Sequence, residues 1–206
     1  MKLLLASSSR YRRQLLEQLR IPFEHASPDI DETPLEGETP KAYVERLARA
    51  KANALSSRYP QHWIIGSDQT CVINDQIVGK SGTRKRAIEQ LQACSGRAVT
   101  FYTGLALCSP TSEDNAKQPA NSTTYSLVEP FTVHFRDLST EEIARYVDLE
   151  HPFDCAGSFK VEGLGIQLFK ALDGRDYNSL IGLPLIGLND LMRQANLSPL
   201  MLTPVE

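Results

Sequence analysis

The 206-residue sequence has no stretch approaching the roughly 20 apolar residues needed to cross a bilayer, so a membrane-spanning helix is not expected. Its opening, Met1-Lys2-Leu3-Leu4-Leu5-Ala6, carries a short apolar run followed at once by Arg10, Arg12 and Arg13. That order is wrong for a secretory signal, and a cytoplasmic location is expected. Neither charge sign dominates: 22 Lys and Arg face 25 Asp and Glu, a net charge of −3. A whole-molecule attractor for nucleic acid or an anionic membrane is thereby excluded, and only a local basic cluster could serve one. The four cysteines, Cys71, Cys94, Cys108 and Cys155, form no C-x-x-C pair and lie near no histidine pair at metal spacing. They read as small buried side chains in a reducing compartment, not as a zinc site. Internal repeats are absent, and so are the glycines and terminal Gly-Lys-Ser/Thr of a Walker A loop.

What remains is ordinary soluble usage, 41% apolar and 23% charged, in a chain long enough to bury roughly 70% of its extended surface. One domain over residues 1–206 is expected. Leu3 to Ala6 reads as a short buried strand, and Ser7-Ser8-Ser9 as the cap of a helix that aligns Leu15, Leu16 and Leu19. Ile21 to His25 suggests a second strand, followed by an acidic loop punctuated by Pro28 and Pro34. Thr39-Pro40 is a helix start, with Tyr43, Leu47, Ala50, Ala54 and Leu55 as its buried side up to about Arg58. Trp63 to Gly66 reads as a buried strand ending in the polar tip Ser67-Asp68-Gln69, and Asn74-Asp75 as a tight hairpin turn. A helix from about Arg84 to Cys94, a strand from Val99 to Leu107, a polar hairpin tip from Ser109 to Thr124 and a returning strand from Leu127 to Phe135 follow. Ser139 and Glu142 stand in capping-box relation at the head of a helix through Val147, and Pro184 to Gln194 reads as the last helix. Strands and helices interleave, so the class is α/β with a mixed sheet flanked by helices.

Four constellations could carry chemistry. Ser7-Ser8-Ser9-Arg10-Tyr11-Arg12-Arg13 lies where a strand hands over to a helix, a place where amides, hydroxyls and forked guanidinium donors can surround phosphate; a capped helix with a solvated basic face would look the same. Asp29, Asp31 and Glu32 sit in the acidic loop, and Asp68 rides an apolar strand to where α/β proteins bind ligands. Taken singly the loop acids read as solvated surface, whereas carboxylates converging with phosphate donors suit a Mg²⁺-dependent phosphate enzyme. Lys51 and Lys80 are single lysines whose weight depends on the rest; a triphosphate needs a metal and several cations to hold its geometry. The run Cys155-Ala156-Gly157-Ser158-Phe159-Lys160-Val161-Glu162-Gly163-Leu164-Gly165-Ile166 lets a flat ligand approach backbone, or forms an irregular loop.

Together, Leu-Ala-Ser-Ser-Ser-Arg-Tyr-Arg-Arg at 5–13, Asp-Glu-Thr-Pro at 31–34, Ala-Lys-Ala at 50–52, Gly-Ser-Asp-Gln at 66–69, Gly-Lys at 79–80 and Ala-Gly-Ser-Phe at 156–159 resemble the Maf-like nucleotide pyrophosphatases over nearly the whole chain. His151-Pro152 through Gly163, Gly174-Arg175-Asp176 and Gly182-Leu183-Pro184-Leu185 are most similar to the 7-methyl-GTP pyrophosphatase branch. The resemblance implies an elongated mixed sheet between helices and a divalent cation (Mg²⁺, Mn²⁺ or Co²⁺). It also implies cleavage of a nucleoside triphosphate between its α- and β-phosphates. It places Ser7, Ser9, Arg12, Arg13, Lys51 and Lys80 on phosphate, Glu32 and Asp68 on metal and water with Asp68 as general base, and Tyr11, Gln69 and Glu162 on substrate choice. The sequence departs from the family where Arg10 and Ser81 replace proline and where Tyr11 replaces the branch's tryptophan.

A carboxylate at Glu162 can accept the two adjacent N–H groups of a guanine, where the pyrimidine-specific branch carries glutamine. N7-methylation puts positive charge on the ring, which favours stacking on an aromatic. The expected partner is a small nucleotide, with no nucleic acid or membrane; the family admits homodimers, but no surface stripe demands one. Rival readings are a dTTP/UTP pyrophosphatase of the same family, a binding protein of cell division, and a single-strand nucleic-acid binder. The last lacks interleaved aromatics beyond Tyr11.

Overall fold

The computed structural model describes residues 1–74, 76–111 and 122–205. Among these residues seven strands form one mixed sheet: β1 Lys2–Ala6, β2 Glu24–Ala26, β3 His62–Ile73, β4 Gln76–Val78, β5 Ala98–Cys108, β6 Thr124–Phe135 and β7 Phe169–Gly174. Their order is β2-β1-β3-β5-β6-β7, with β4 on β3. The β1 pairings are parallel and the rest antiparallel. Among the described residues six helices accompany them: α1 Arg10–Glu17, α2 Pro40–Asn53, α3 Arg84–Cys94, α4 Thr140–Glu150, α5 Leu185–Gln194 and α6 Pro199–Leu202, with 3₁₀ turns at Leu164–Leu168 and Tyr177–Ile181. None of the described helices is long and apolar enough to cross a membrane.

The local signals set most boundaries. Ser9, Thr39 and Thr83 cap α1, α2 and α3 through their side-chain oxygens, and Ser139 with Glu142 forms the reciprocal box at α4, satisfying amides that have no intrahelical partner. β3 and β4 pair across residues 74–75 as expected, although Asp75 itself, like most of the Ser109–Thr124 tip, lies outside the described residues. The strand expected at Ile21–His25 shrinks to Glu24–Ala26, because Ile21 instead buries into the core beneath α1. β7 was not foreseen, and α6 adds one turn after the helix expected to be last. Of the cysteines, Cys71, Cys94 and Cys108 are buried, but Cys155 is only half-buried.

Two corrections bear on function. The strand through Trp63 does not end at a polar tip: it continues to Ile73, so Asp68 is mid-strand, held by antiparallel pairing with β5 from Ile64 to Val72. On the other edge of β3, β1 pairs only with His62–Ile65 and β4 only with Cys71–Ile73. Among the described residues no strand covers Gly66–Thr70 on that edge, and the sheet is notched there.

The second correction concerns α2, which ends at Asn53 rather than near Arg58 and buries Val44, Leu47, Ala48, Lys51 and Ala52. Its buried side is turned about one residue from the expected stripe, leaving Tyr43 and Ala50 half-buried. The cause is in the sheet. A Cβ on Gly66 would lie 2.1 Å from the Ala48 carbonyl oxygen, and one on Gly104 2.1 Å from that of Val44. The helix rests on bare backbone, so small residues and Lys51 face the sheet. The opposite face carries two apolar clusters, one under α1 and α5 and one under α3 and α4.

Candidate active site

A cavity of about 740 Å³ opens at the notch in β3, between the α1 elbow and the loops around Lys80 and Cys155. Ser7, Ser9, Tyr11, Arg12, Glu32, Lys51, Asp68, Gln69, Lys80 and Glu162 all line it. Of the residues singled out from the sequence, Arg13 lies elsewhere: its guanidinium meets His25 Nε2 at 3.1 Å, in a separate surface hollow. Asp29 is absent from the lining, and Asp31 accepts the Thr33 amide at 2.8 Å, shaping the loop that carries Glu32.

The elbow follows from chain direction. β1 ends at Ala6, and the Ser7 amide turns back onto the Leu5 carbonyl at 2.9 Å. Ser7 Oγ then accepts the Ser9 amide, and Ser9 Oγ accepts the Arg12 amide as the helix begins. Arg12 is fixed by donating Nε to the Gly182 carbonyl at 2.8 Å, a carbonyl that Ser67 Oγ also reaches at 2.8 Å. Burial lowers the Arg12 pKa, and the charges of Asp68 and Glu32 pull it back upward; an arginine starts so high that it stays cationic.

At the centre, Lys51 Nζ lies 2.6 Å from Asp68 Oδ1 and 2.7 Å from Glu32 Oε1. Lys51 and Asp68 are nearly enclosed, with 7% exposure each. A buried ammonium between two carboxylates is stable only because the charges offset each other's loss of water. For Glu32, burial pushes the carboxyl pKa up, but the Lys51 hydrogen bond and the charges of Lys51, Lys80 and Arg12 together outweigh it, and the group sits below its ordinary value. Lys80 is set by an isolated backbone bridge to Ala156, and the Gln90 amide on α3 holds both the Gly79 carbonyl and Ser158 Oγ.

Three residues that sequence reasoning missed hold the Glu32 loop. Arg46 grips Glu38 through two hydrogen bonds of 2.6 and 2.7 Å and donates to the Thr33 carbonyl, while Tyr43 Oη donates to the Glu32 carbonyl at 3.0 Å. All lie on or just before α2, so one helix presents Lys51 and clamps the loop bearing its second carboxylate. Their partners are fixed by how the loop folds back, and no local pattern signals that.

At the other end of the cavity, Tyr11 Oη donates to Asp154 Oδ2 at 3.4 Å, with the Arg10 guanidinium 4.7 Å over its ring. Glu162 is exposed within the cavity wall. Among the described residues no three His, Cys, Asp or Glu side chains cluster as a ready-made metal cage. Glu32 and Asp68 nonetheless converge on one cation, the Lys51 ammonium, and two carboxylates beside phosphate donors suit a hard divalent ion that takes its other ligands from water and phosphate.

Comparison with solved structures agrees with this architecture. The chain is similar to the Ham1 protein of Staphylococcus aureus at 13% identity, over 95% of this chain and 100% of that one, with a TM-score of 0.52. A HAM1 protein from Coxiella burnetii aligns at 16% identity over 94% of this chain and 99% of its own, with a TM-score of 0.48. At such identities the likeness to the first speaks for the fold, a mixed seven-stranded sheet between helices. The family model described as Maf-like protein matches residues 2–195. This chain, with its serine–arginine elbow and its lysine-bridged carboxylates in one cavity, belongs to the Maf-like protein family.

Proposed function

We propose that this protein is a nucleoside triphosphate pyrophosphatase that cleaves 7-methyl-GTP between its α- and β-phosphates, giving 7-methyl-GMP and pyrophosphate and so removing a modified nucleotide. Membership of the Maf-like family is consistent with nucleotide pyrophosphatase activity in general; the bond and the base are the finer reading. The observation that carries it is Lys51 bridging Asp68 and Glu32 inside the cavity that also holds Ser7, Ser9, Arg12 and Lys80. That is an anion-binding wall facing carboxylates, the arrangement a polyphosphate hydrolase needs.

In this reading the triphosphate lies along the elbow, accepting from Ser7, Ser9, Arg12, Lys51 and Lys80. Water attacks the α-phosphorus, its proton passes to Asp68, and the bond to the β-phosphate oxygen breaks as pyrophosphate leaves. Asp68, 2.6 Å from Lys51 Nζ, is the proton acceptor in this reading. A divalent cation held by Glu32 and Asp68 would neutralise phosphate charge when bound. Toward the base, Tyr11 offers an aromatic face and Glu162 a carboxylate that accepts paired N–H groups.

Incubating the protein with 7-methyl-GTP and Mg²⁺ or Mn²⁺, beside ordinary triphosphates, tests this. Monophosphate and pyrophosphate in equal amounts are expected, with 7-methyl-GTP turned over fastest. Release of single orthophosphate would overturn the reaction, and a preference for UTP or dTTP would overturn the base.

A further inference from the structure

Gln69 follows Asp68 on β3, so its side chain leaves the opposite face of the sheet. Both protons of its amide nitrogen are used inside the protein. Nε2 donates to the Ser179 carbonyl oxygen at 2.6 Å and to Thr103 Oγ1 at 3.3 Å. Thr103 Oγ1 in turn donates its own proton to the same Ser179 carbonyl at 2.9 Å. The triangle follows from register, since Gln69 and Thr103 are direct partners across β3 and β5 and directly opposed residues share a face. Thr103 is fully buried, so no water competes for its hydroxyl.

This fixes the polarity of Gln69. A carbonyl oxygen can only accept, so turning the amide over would set Oε1 against the Ser179 oxygen. A primary amide has two N–H donors and one oxygen. With both donors consumed, only the lone pairs of Oε1 remain for anything in the cavity that Gln69 lines, and no hydrogen bond among the described residues engages that oxygen. A free glutamine reads donors and acceptors alike, whereas this one can only accept.

We propose that Thr103 is a positioning residue for base choice: by holding the Gln69 amide, it makes Gln69 an acceptor-only reader that favours a base edge rich in N–H groups and rejects one presenting carbonyl oxygens. Glu162, an acceptor as carboxylate, lines the same cavity. A base offering an amino and an imino N–H side by side satisfies such acceptors. Uracil and thymine, with one N–H between two carbonyls, set oxygen against oxygen. This rests on the proposed function only in requiring that a base reach this wall.

Thr103→Val keeps the side-chain shape and removes the hydroxyl; Thr103→Ser restores it. The ratio of kcat/KM for the guanine-type triphosphate over UTP should fall about tenfold in Thr103→Val, the weight of one exchanged hydrogen bond, and recover in Thr103→Ser. Separately, in ¹⁵N-labelled full-length protein, the Gln69 side-chain amide (assigned by its loss in Gln69→Ala) should show two slowly exchanging protons, one of which exchanges fast in Thr103→Val. Equal ratios in all three enzymes would overturn the role of Thr103. A wild-type Gln69 amide exchanging at solvent-exposed rates would overturn the geometry, whether or not Thr103→Val folds. Absence of all turnover defeats the proposed function instead, while the exchange measurement still decides the amide.

Discussion

Lys51 Nζ and Asp68 Oδ1 are 2.6 Å apart across 17 positions of sequence because α2 lies directly on the backbone of β3. In the proposed reaction Asp68 is the general base, the side chain that takes the proton of the attacking water. Asp68→Asn preserves shape and the neighbouring contacts but removes the proton acceptor. Turnover of triphosphate should fall about 10²–10⁴-fold, while nucleotide binding, measured by equilibrium dialysis, stays within a few-fold of wild type. An Asp68→Asn enzyme with undiminished turnover would remove Asp68 from the chemistry.

Gly66 makes that approach possible. An added Cβ would meet the Ala48 carbonyl oxygen at 2.1 Å and the Ala52 amide at 2.8 Å, both backbone atoms that cannot rotate away. Gly66→Ala must therefore lift α2, at a cost of about 1–3 kcal/mol for overpacking. That corresponds to a drop in Tm of several degrees for a chain of this length. Because Lys51 leaves with the helix, turnover should fall by more than the loss of folded protein accounts for. Thermal melts run beside activity assays at a temperature where both proteins are folded will separate the two effects.

The parts of the site that were legible in the sequence are those whose signal is local. Ser7-Ser8-Ser9 before Arg12 announces a capped strand-to-helix elbow, Thr39-Pro40 announces α2, and the apolar run through Ile65 delivers Asp68 to the sheet. What escaped depends on partners far away. Asp68 reads as a strand end because its neighbours turn polar, yet pairing with β5 continues past it. The α2 stripe came out rotated because hydrophobicity marks the buried side only when the opposing surface is made of side chains, and here it is two glycines. β7 shows no alternation, since it is a largely exposed edge strand held by pairing with β6. Arg46 and Glu38 look like ordinary surface charges until the loop folds back between them.

That ion pair gives a pH prediction. The hydrogen bond from Arg46 holds the Glu38 carboxyl well below its ordinary 4.5, down to about 2. A carboxyl whose pKa falls on folding contributes stability above its unfolded pKa and loses it as pH drops through the folded value. The difference in unfolding free energy between wild type and Glu38→Gln should thus be constant above pH ~4.5 and shrink toward zero as pH approaches ~2. Denaturant titrations across that range will show it. At neutral pH, Glu38→Gln should also loosen the Glu32 loop, raising KM for the triphosphate or for the metal more than it lowers kcat.

Tyr11 stands where an aromatic could cover a cationic base, already with the Arg10 guanidinium over one face. A tryptophan there has the stronger quadrupole. Tyr11→Trp should improve kcat/KM for 7-methyl-GTP over GTP by about two- to fivefold, in line with a cation–π gain of about 0.5–1 kcal/mol. The change should appear mainly in KM. An equal gain for GTP, which carries no ring charge, would show simple stacking.

Glu162 is an exposed carboxylate of the cavity wall, without an ion-pair partner among the described residues. A carboxylate can accept two N–H groups at once but can donate none, so a pyrimidine carbonyl placed against it meets charge of its own sign. Glu162→Gln replaces one acceptor oxygen by a donor while keeping the length of the side chain. The ratio of kcat/KM for 7-methyl-GTP over dTTP or UTP should drop by about 10-fold or more, because the lost guanine contact and the new pyrimidine contact act in the same direction. Combined with Thr103→Val the two losses should add if the residues read separate atoms of the base, and fall short of adding if they share one. A ratio unchanged in Glu162→Gln alone would mean that base choice is made elsewhere in the cavity.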